Sequence, residues 1–89
     1  MSELIDAYYE NDIELALKLI ENKANLDLQY NNGWTALMEI CWNNNTKIAL
    51  KLIGNKANLD IQSNSGWTAL MLSCKYNHTN IISILLETI

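Results

Sequence analysis

Apolar residues mark out one helical face, then a second, and then the pattern begins again. Ala36, Leu37, Ile40 and Cys41 recur at the three-and-four spacing of a helix with one buried side. Thr35 stands just before them, where its hydroxyl can cap a helix N-terminus. Asn43-Asn44-Asn45 interrupts the stripe. Thr46 then opens a second helix with Ile48, Ala49, Leu52 and Ile53 on its apolar face. From Asn55 to Gly66 the spacing changes. Leu59, Asp60, Ile61 and Gln62 alternate apolar and polar, and Ser63-Asn64-Ser65-Gly66 supplies turn chemistry.

The same cycle returns 33 residues later. Ala24-Asn25-Leu26-Asp27 reappears as Ala57-Asn58-Leu59-Asp60, and Gly33-Trp34-Thr35-Ala36-Leu37-Met38 reappears unchanged as Gly66-Trp67-Thr68-Ala69-Leu70-Met71. In this third unit Thr68 precedes Ala69, Leu70, Ser73 and Cys74, and the second stripe is Ile81, Ile82, Leu85 and Leu86. A shorter leading unit keeps the helices without the turn: Leu4, Ile5 and Tyr8, then Leu15, Ala16, Leu19 and Ile20, with Ser2 as the expected helix start. The units span approximately residues 1–23, 24–56 and 57–89 of a single domain. A fixed period of this size predicts a solenoid in which each unit buries its apolar faces against its neighbours.

A 33-residue period, paired helices, Gly-x-Thr-x-Leu opening the first helix and Ala-Asn-Leu-Asp leaving the second together resemble the ankyrin repeat. The resemblance covers essentially the whole chain. It implies an all-α solenoid of helix–turn–helix units joined by β-hairpin-like loops. It also implies that Thr35 and Thr68 cap first helices, and that Gly33 and Gly66 hold a turn at positive φ. The chain departs from the family pattern in places. The usual Thr-Pro-Leu-His is Thr-Ala-Leu-Met in both units, so Met38 and Met71 lack the histidine's bonds to the loop. The common Gly-His between helices is Asn11-Asp12, Asn44-Asn45 and Asn77-His78. His78 alone matches and reads as a loop-packing residue. Lys18 and Lys51 stand where an apolar residue is frequent, with stems able to pack while their heads reach water.

Charge and chemistry narrow the function. The net charge of −4 and the absence of a Lys/Arg cluster argue against nucleic acid and anionic membranes. Residues 1–20 carry five carboxylates, at odds with a secretory signal, and no apolar run approaches the roughly 18 residues of a membrane span. A cytoplasmic location is expected. Asn44-Asn45-Thr46 and Asn77-His78-Thr79 match the glycosylation pattern but fall where helices open. Cys41 and Cys74 occupy one repeat position and read as a pair of small buried residues, without the partners a metal site needs. The three glycines form no phosphate loop, and no nucleophile–base set appears, so neither catalysis nor a cofactor is expected.

The resemblance places partner contacts on the loop tips and the exposed side of the first helices, the concave face. By position these are Tyr9 and Glu10; Asn31, Asn32, Trp34, Trp42 and Asn43; and Asn64, Ser65, Trp67, Lys75 and Tyr76. Tyr and Trp offer large rigid contact area there. Trp34 and Trp67 have a second reading, in which identical rings stack sideways on neighbouring hairpins. The expected function is a protein–protein interaction module. The alternative is an assembly unit, or part of a longer array, joined through an apolar C-terminal end at Leu72, Ile84 and Ile89.

Overall fold

The structure, a computed structural model, describes residues 3–22 and 25–88. Among the described residues six α-helices form three antiparallel pairs: α1 (Glu3–Tyr9) with α2 (Ile13–Glu21), α3 (Ala36–Asn43) with α4 (Thr46–Gly54), and α5 (Ala69–Lys75) with α6 (Thr79–Thr88), and a single 3-10 turn forms at Asn31–Gly33. Successive pairs stack. α3 packs on α5 in one layer, while α2, α4 and α6 follow one another in the other. Among the described residues there is no strand, only an isolated antiparallel bridge between Tyr30 and Trp34. That bridge makes the loop hairpin-like. The Tyr30 N–H donates to the Trp34 carbonyl at 2.8 Å, and the Ser63 N–H donates to Trp67 in the same way at 2.9 Å.

The helices start where local chemistry tells them to. The Thr35 and Thr68 hydroxyls accept the Met38 and Met71 N–H groups at 3.3 and 3.2 Å. Such caps contribute about 1 kcal/mol each. The second helices are capped by Asp12 and Asn45, whose side chains accept the Leu15 and Ile48 N–H groups at 3.1 Å. Thr46 is therefore the first helical residue and Asn45 the cap. Between paired helices the chain reverses at Asn11, Asn44 and Asn77, with φ of 61°, 58° and 56°. Asparagine tolerates this left-handed conformation better than most residues with a Cβ.

The recurrent Asn-Leu-Asp also has a mechanical reason. Asn25 and Asn58 fold their side-chain oxygens back onto the Asp27 and Asp60 N–H groups, at 3.2 and 2.9 Å. Asp27 then reaches into the next unit and accepts the Asn58 N–H at 2.8 Å. Gln29 spans the same boundary, donating to the Gly33 and Gln62 carbonyls at 2.8 and 2.9 Å. The hairpins are thus tied in series, and the Asn64 N–H to the Asn32 carbonyl adds a further link at 2.9 Å.

The core is densest around α3 and α4, where Leu37, Ile40, Cys41, Ile48 and Leu52 are almost wholly buried. Four expectations fail at the ends of the stack. Cys74 is exposed although Cys41 is buried: Cys41 lies against Ser73 of the third unit, and Cys74 has no such cover among the described residues. Leu86 and Leu15 are exposed rather than core residues, each facing outward from a terminal pair. Leu72, expected at the open apolar end, is buried, and Met71 beside it is exposed. Ile84 is half-buried against the core, and Ser2 and Ile89 lie outside the described residues. The Lys heads behave as the sequence suggests: Lys18 pairs with Glu14 and Lys51 with Glu21 of the preceding pair, both at 3.7 Å and exposed.

Candidate functional site

Between the loop tips and the first helices lies a groove of about 310 Å³. Its floor includes the side of α1 at Ile5, and Glu39 rises from α3. Tyr9 closes one end from the last turn of α1. Tyr30, Trp34 and Trp42 form the other walls, with Asn31 and Asn32 at the tip. Gly33 makes the tip possible. Its φ is 77°, and a Cβ there would sit 2.8 Å from the Asn64 backbone nitrogen. Only a residue without a side chain takes that conformation in that space.

Glu39 organises the groove. One carboxylate oxygen accepts the Tyr30 hydroxyl at 2.7 Å, and the other accepts the Tyr9 hydroxyl. The Asn43 amide, one helical turn along, donates to the Glu39 carbonyl at 3.0 Å and to its carboxylate at 3.4 Å. Partial burial, and then the bond to Glu39, push the Tyr9 phenol up to about 12. The same two causes raise Tyr30 further. Both phenols therefore stay protonated donors at neutral pH.

A row of rings runs out of the groove and across the boundary between units. Trp34 meets Trp42 edge-on at 5.5 Å between centroids, and Trp42 meets Tyr76 edge-on at 4.6 Å. Tyr76 stacks on His78 at 6.0 Å. The His78 Nε2–H donates to the Trp42 carbonyl at 3.1 Å, so the histidine fastens the third pair to the second. This is the packing role read from its position. At the far end Lys75 lies over Trp67, its Nζ 5.0 Å from the ring centroid and 5.7 Å from that of Tyr76.

The predicted contact residues divide accordingly. Tyr9, Asn31, Asn32, Trp34 and Trp42 line the groove, and Asn43 reaches it through Glu39. Tyr76, Lys75 and Trp67 form a second cluster one unit on. Asn64 and Ser65 are exposed on the second loop, and Glu10 is exposed just beyond α1. Sequence reasoning missed Glu39 and Tyr30. Glu39 was readable in part, since it precedes Asn43 by four residues and so shares its helical side. The meeting of two tyrosines from different units on one carboxylate is tertiary and leaves no local signal. Elsewhere, Cys41 is driven up to about 11 by burial. Among the described residues no cluster of His, Cys, Asp or Glu could hold a metal, and no helix is long and apolar enough to cross a membrane.

The family pattern described as ankyrin repeats, in three copies, matches residues 4–89. The chain belongs to the ankyrin repeat family. Ankyrin repeats serve generally as protein–protein interaction modules. No curated protein matches the chain significantly. Among solved structures, it is similar to the human ASB11 ankyrin repeat domain, with 25% identity and a TM-score of 0.85 over 99% of this chain. It is similar also to a chain in the complex of the Bdellovibrio bacteriovorus predatory endopeptidase Bd0816 with immunity protein Bd3460, at 25% identity and a TM-score of 0.84, again over 99% of this chain. The repeats span 40% and 46% of the lengths of those two chains.

Proposed function

We propose that the chain binds a partner protein, without catalysis, through the concave face formed by its loop tips and first helices. Tyr9, Trp42 and Tyr76 are the anchors, with Trp34 and Trp67 at the rim. Asn31, Asn32, Asn43 and Asn64 supply adaptable hydrogen bonds, and Glu10, Ser65 and Lys75 extend the contact. The observation that carries this reading is the row Trp34–Trp42–Tyr76, in which the exposed rings of Trp42 and Tyr76 brace one another across a unit boundary. Rings already held in place lose little freedom on binding, which is what an anchor needs. The occurrence of this fold in a solved protein–protein complex agrees with it. Two free cysteines fit the cytoplasm as the compartment.

The test is site-specific photocrosslinking in the cells of origin. A crosslinker at position 76 should trap a defined partner, and one at the exposed Leu50 on α4 should not. Replacing Trp42 and Tyr76 with Ala should abolish capture while the helical circular-dichroism signal stays intact. Capture that is equal from positions 50 and 76, or unchanged in the double variant, removes the site.

A second reading rests on Met71, Cys74 and Leu86, which are exposed together on the last pair. They would mate with another copy or a further repeat. Solution mass should then grow reversibly with concentration, and Leu86→Lys should hold the chain monomeric. A monomer at every concentration removes self-association.

A further inference from the structure

The groove has aromatic walls and an acid but no base. Tyr9, Tyr30, Trp34 and Trp42 surround Glu39, and no Lys lines it among the described residues. The two ion pairs among the described residues lie elsewhere, on Glu14 and Glu21. The donors to Glu39 among the described residues, Tyr9, Tyr30 and Asn43, are all neutral. They hold the carboxylate in place, and among the described residues its charge has no counter-ion. An aromatic enclosure around a carboxylate favours an organic cation, through both the ring faces and the Coulomb attraction.

The repeat supplies a comparison inside the same molecule. Trp34 and Trp67 are equivalent, and Trp42 is equivalent to Lys75. In the third unit, Lys75 places its own ammonium over the Trp67 ring, at 5.0 Å. In the second unit a tryptophan stands where that lysine would be, and the cation is missing. We propose that the partner supplies it: the groove takes a lysine side chain of the bound protein, with its stem against the rings and its ammonium at Glu39. This rests on the concave face being the binding surface. A volume of about 310 Å³ suits one long amphiphilic side chain. Lysine fits better than arginine because Glu39 Oε2 already accepts both Tyr9 and Asn43 while Oε1 accepts Tyr30 alone, which leaves an acceptor for one donor rather than a fork for a bidentate guanidinium.

The test needs no partner. The intact protein is titrated with Nα-acetyl-lysine N-methylamide while the three indole N–H resonances are followed by NMR. The norleucine analogue, with the same stem and no charge, and the arginine analogue run in parallel. Saturable shifts at Trp34 and Trp42 but not Trp67 are expected, with a Kd on the order of 1–10 mM for a ligand of this size. The norleucine analogue should bind at least about tenfold more weakly, as should the lysine analogue to Glu39→Gln. The norleucine comparison uses the unaltered protein and stands even if Glu39→Gln disturbs the fold. Equal binding of lysine and norleucine, shifts confined to Trp67, tighter binding of arginine, or no saturation by about 50 mM would each overturn the proposal. Such a failure leaves any partner captured from position 76 in place. Loss of that capture with the titration intact would sink the concave-face reading alone.

Discussion

Met38 and Met71 end identical hexapeptides, yet Met38 is 1% exposed and Met71 is 48% exposed. The same contrast separates the second and third units along a whole side. Ile53 is 8% exposed and its equivalent Leu86 is 57% exposed, and buried Cys41 corresponds to exposed Cys74. The first unit shows the mirror image. Leu15 is 43% exposed, where Ile48 and Ile81 are 1% and 0%. One set of positions therefore looks toward the following unit and another toward the preceding one. Only the middle unit has both sets covered. Period assigns a residue its place, and the neighbour assigns its environment.

Urea unfolding of four single variants would sharpen or break this contrast. Leu52→Ala, in the middle unit, should cost the most, about 2–5 kcal/mol, through lost burial and a residual cavity. Gly33→Ala should come next, at about 2–4 kcal/mol. It combines a strained positive φ with a close approach to the Asn64 backbone. Gly66→Ala has φ of 83° but open space around it, so only the strain remains, about 1–2 kcal/mol. Leu86→Ala should cost the least, within about 0.5 kcal/mol, since the side chain is already in water. Equal losses at Gly33 and Gly66, or a large loss at Leu86, would mean that the third unit is covered in solution.

Most of the fold was legible because it is local. A threonine before an apolar stripe, a triple asparagine between stripes and an exact 33-residue return each report on a few neighbouring residues. Thr35, Thr68, Gly33 and Gly66 do what their sequence context requires. The reversals at Asn11, Asn44 and Asn77 were in view as recurrent asparagines, although their left-handed geometry was not drawn from them. Three of the four errors share one cause. Cys74, Leu86 and Leu15 were assigned by equivalence of position, and equivalence fails where no neighbouring unit covers the residue, whereas Leu72, expected at an open apolar end, is buried. The groove was half legible. Its tip and ring residues follow from the register, but Glu39 becomes its centre only once α1 and the first hairpin fold over α3.

A chain whose units touch only their neighbours also has a particular route to its native state. Its principal contacts link helices of one pair or of neighbouring pairs, so no loop much longer than one repeat must close before they form. With no proline anywhere in the sequence, no slow peptide isomerisation holds it back. The middle unit, flanked on both sides, is the natural nucleus, and the outer pairs condense onto it. Time runs the other way in unfolding. The outer pairs are expected to open before the middle pair that carries Glu39 and Trp42.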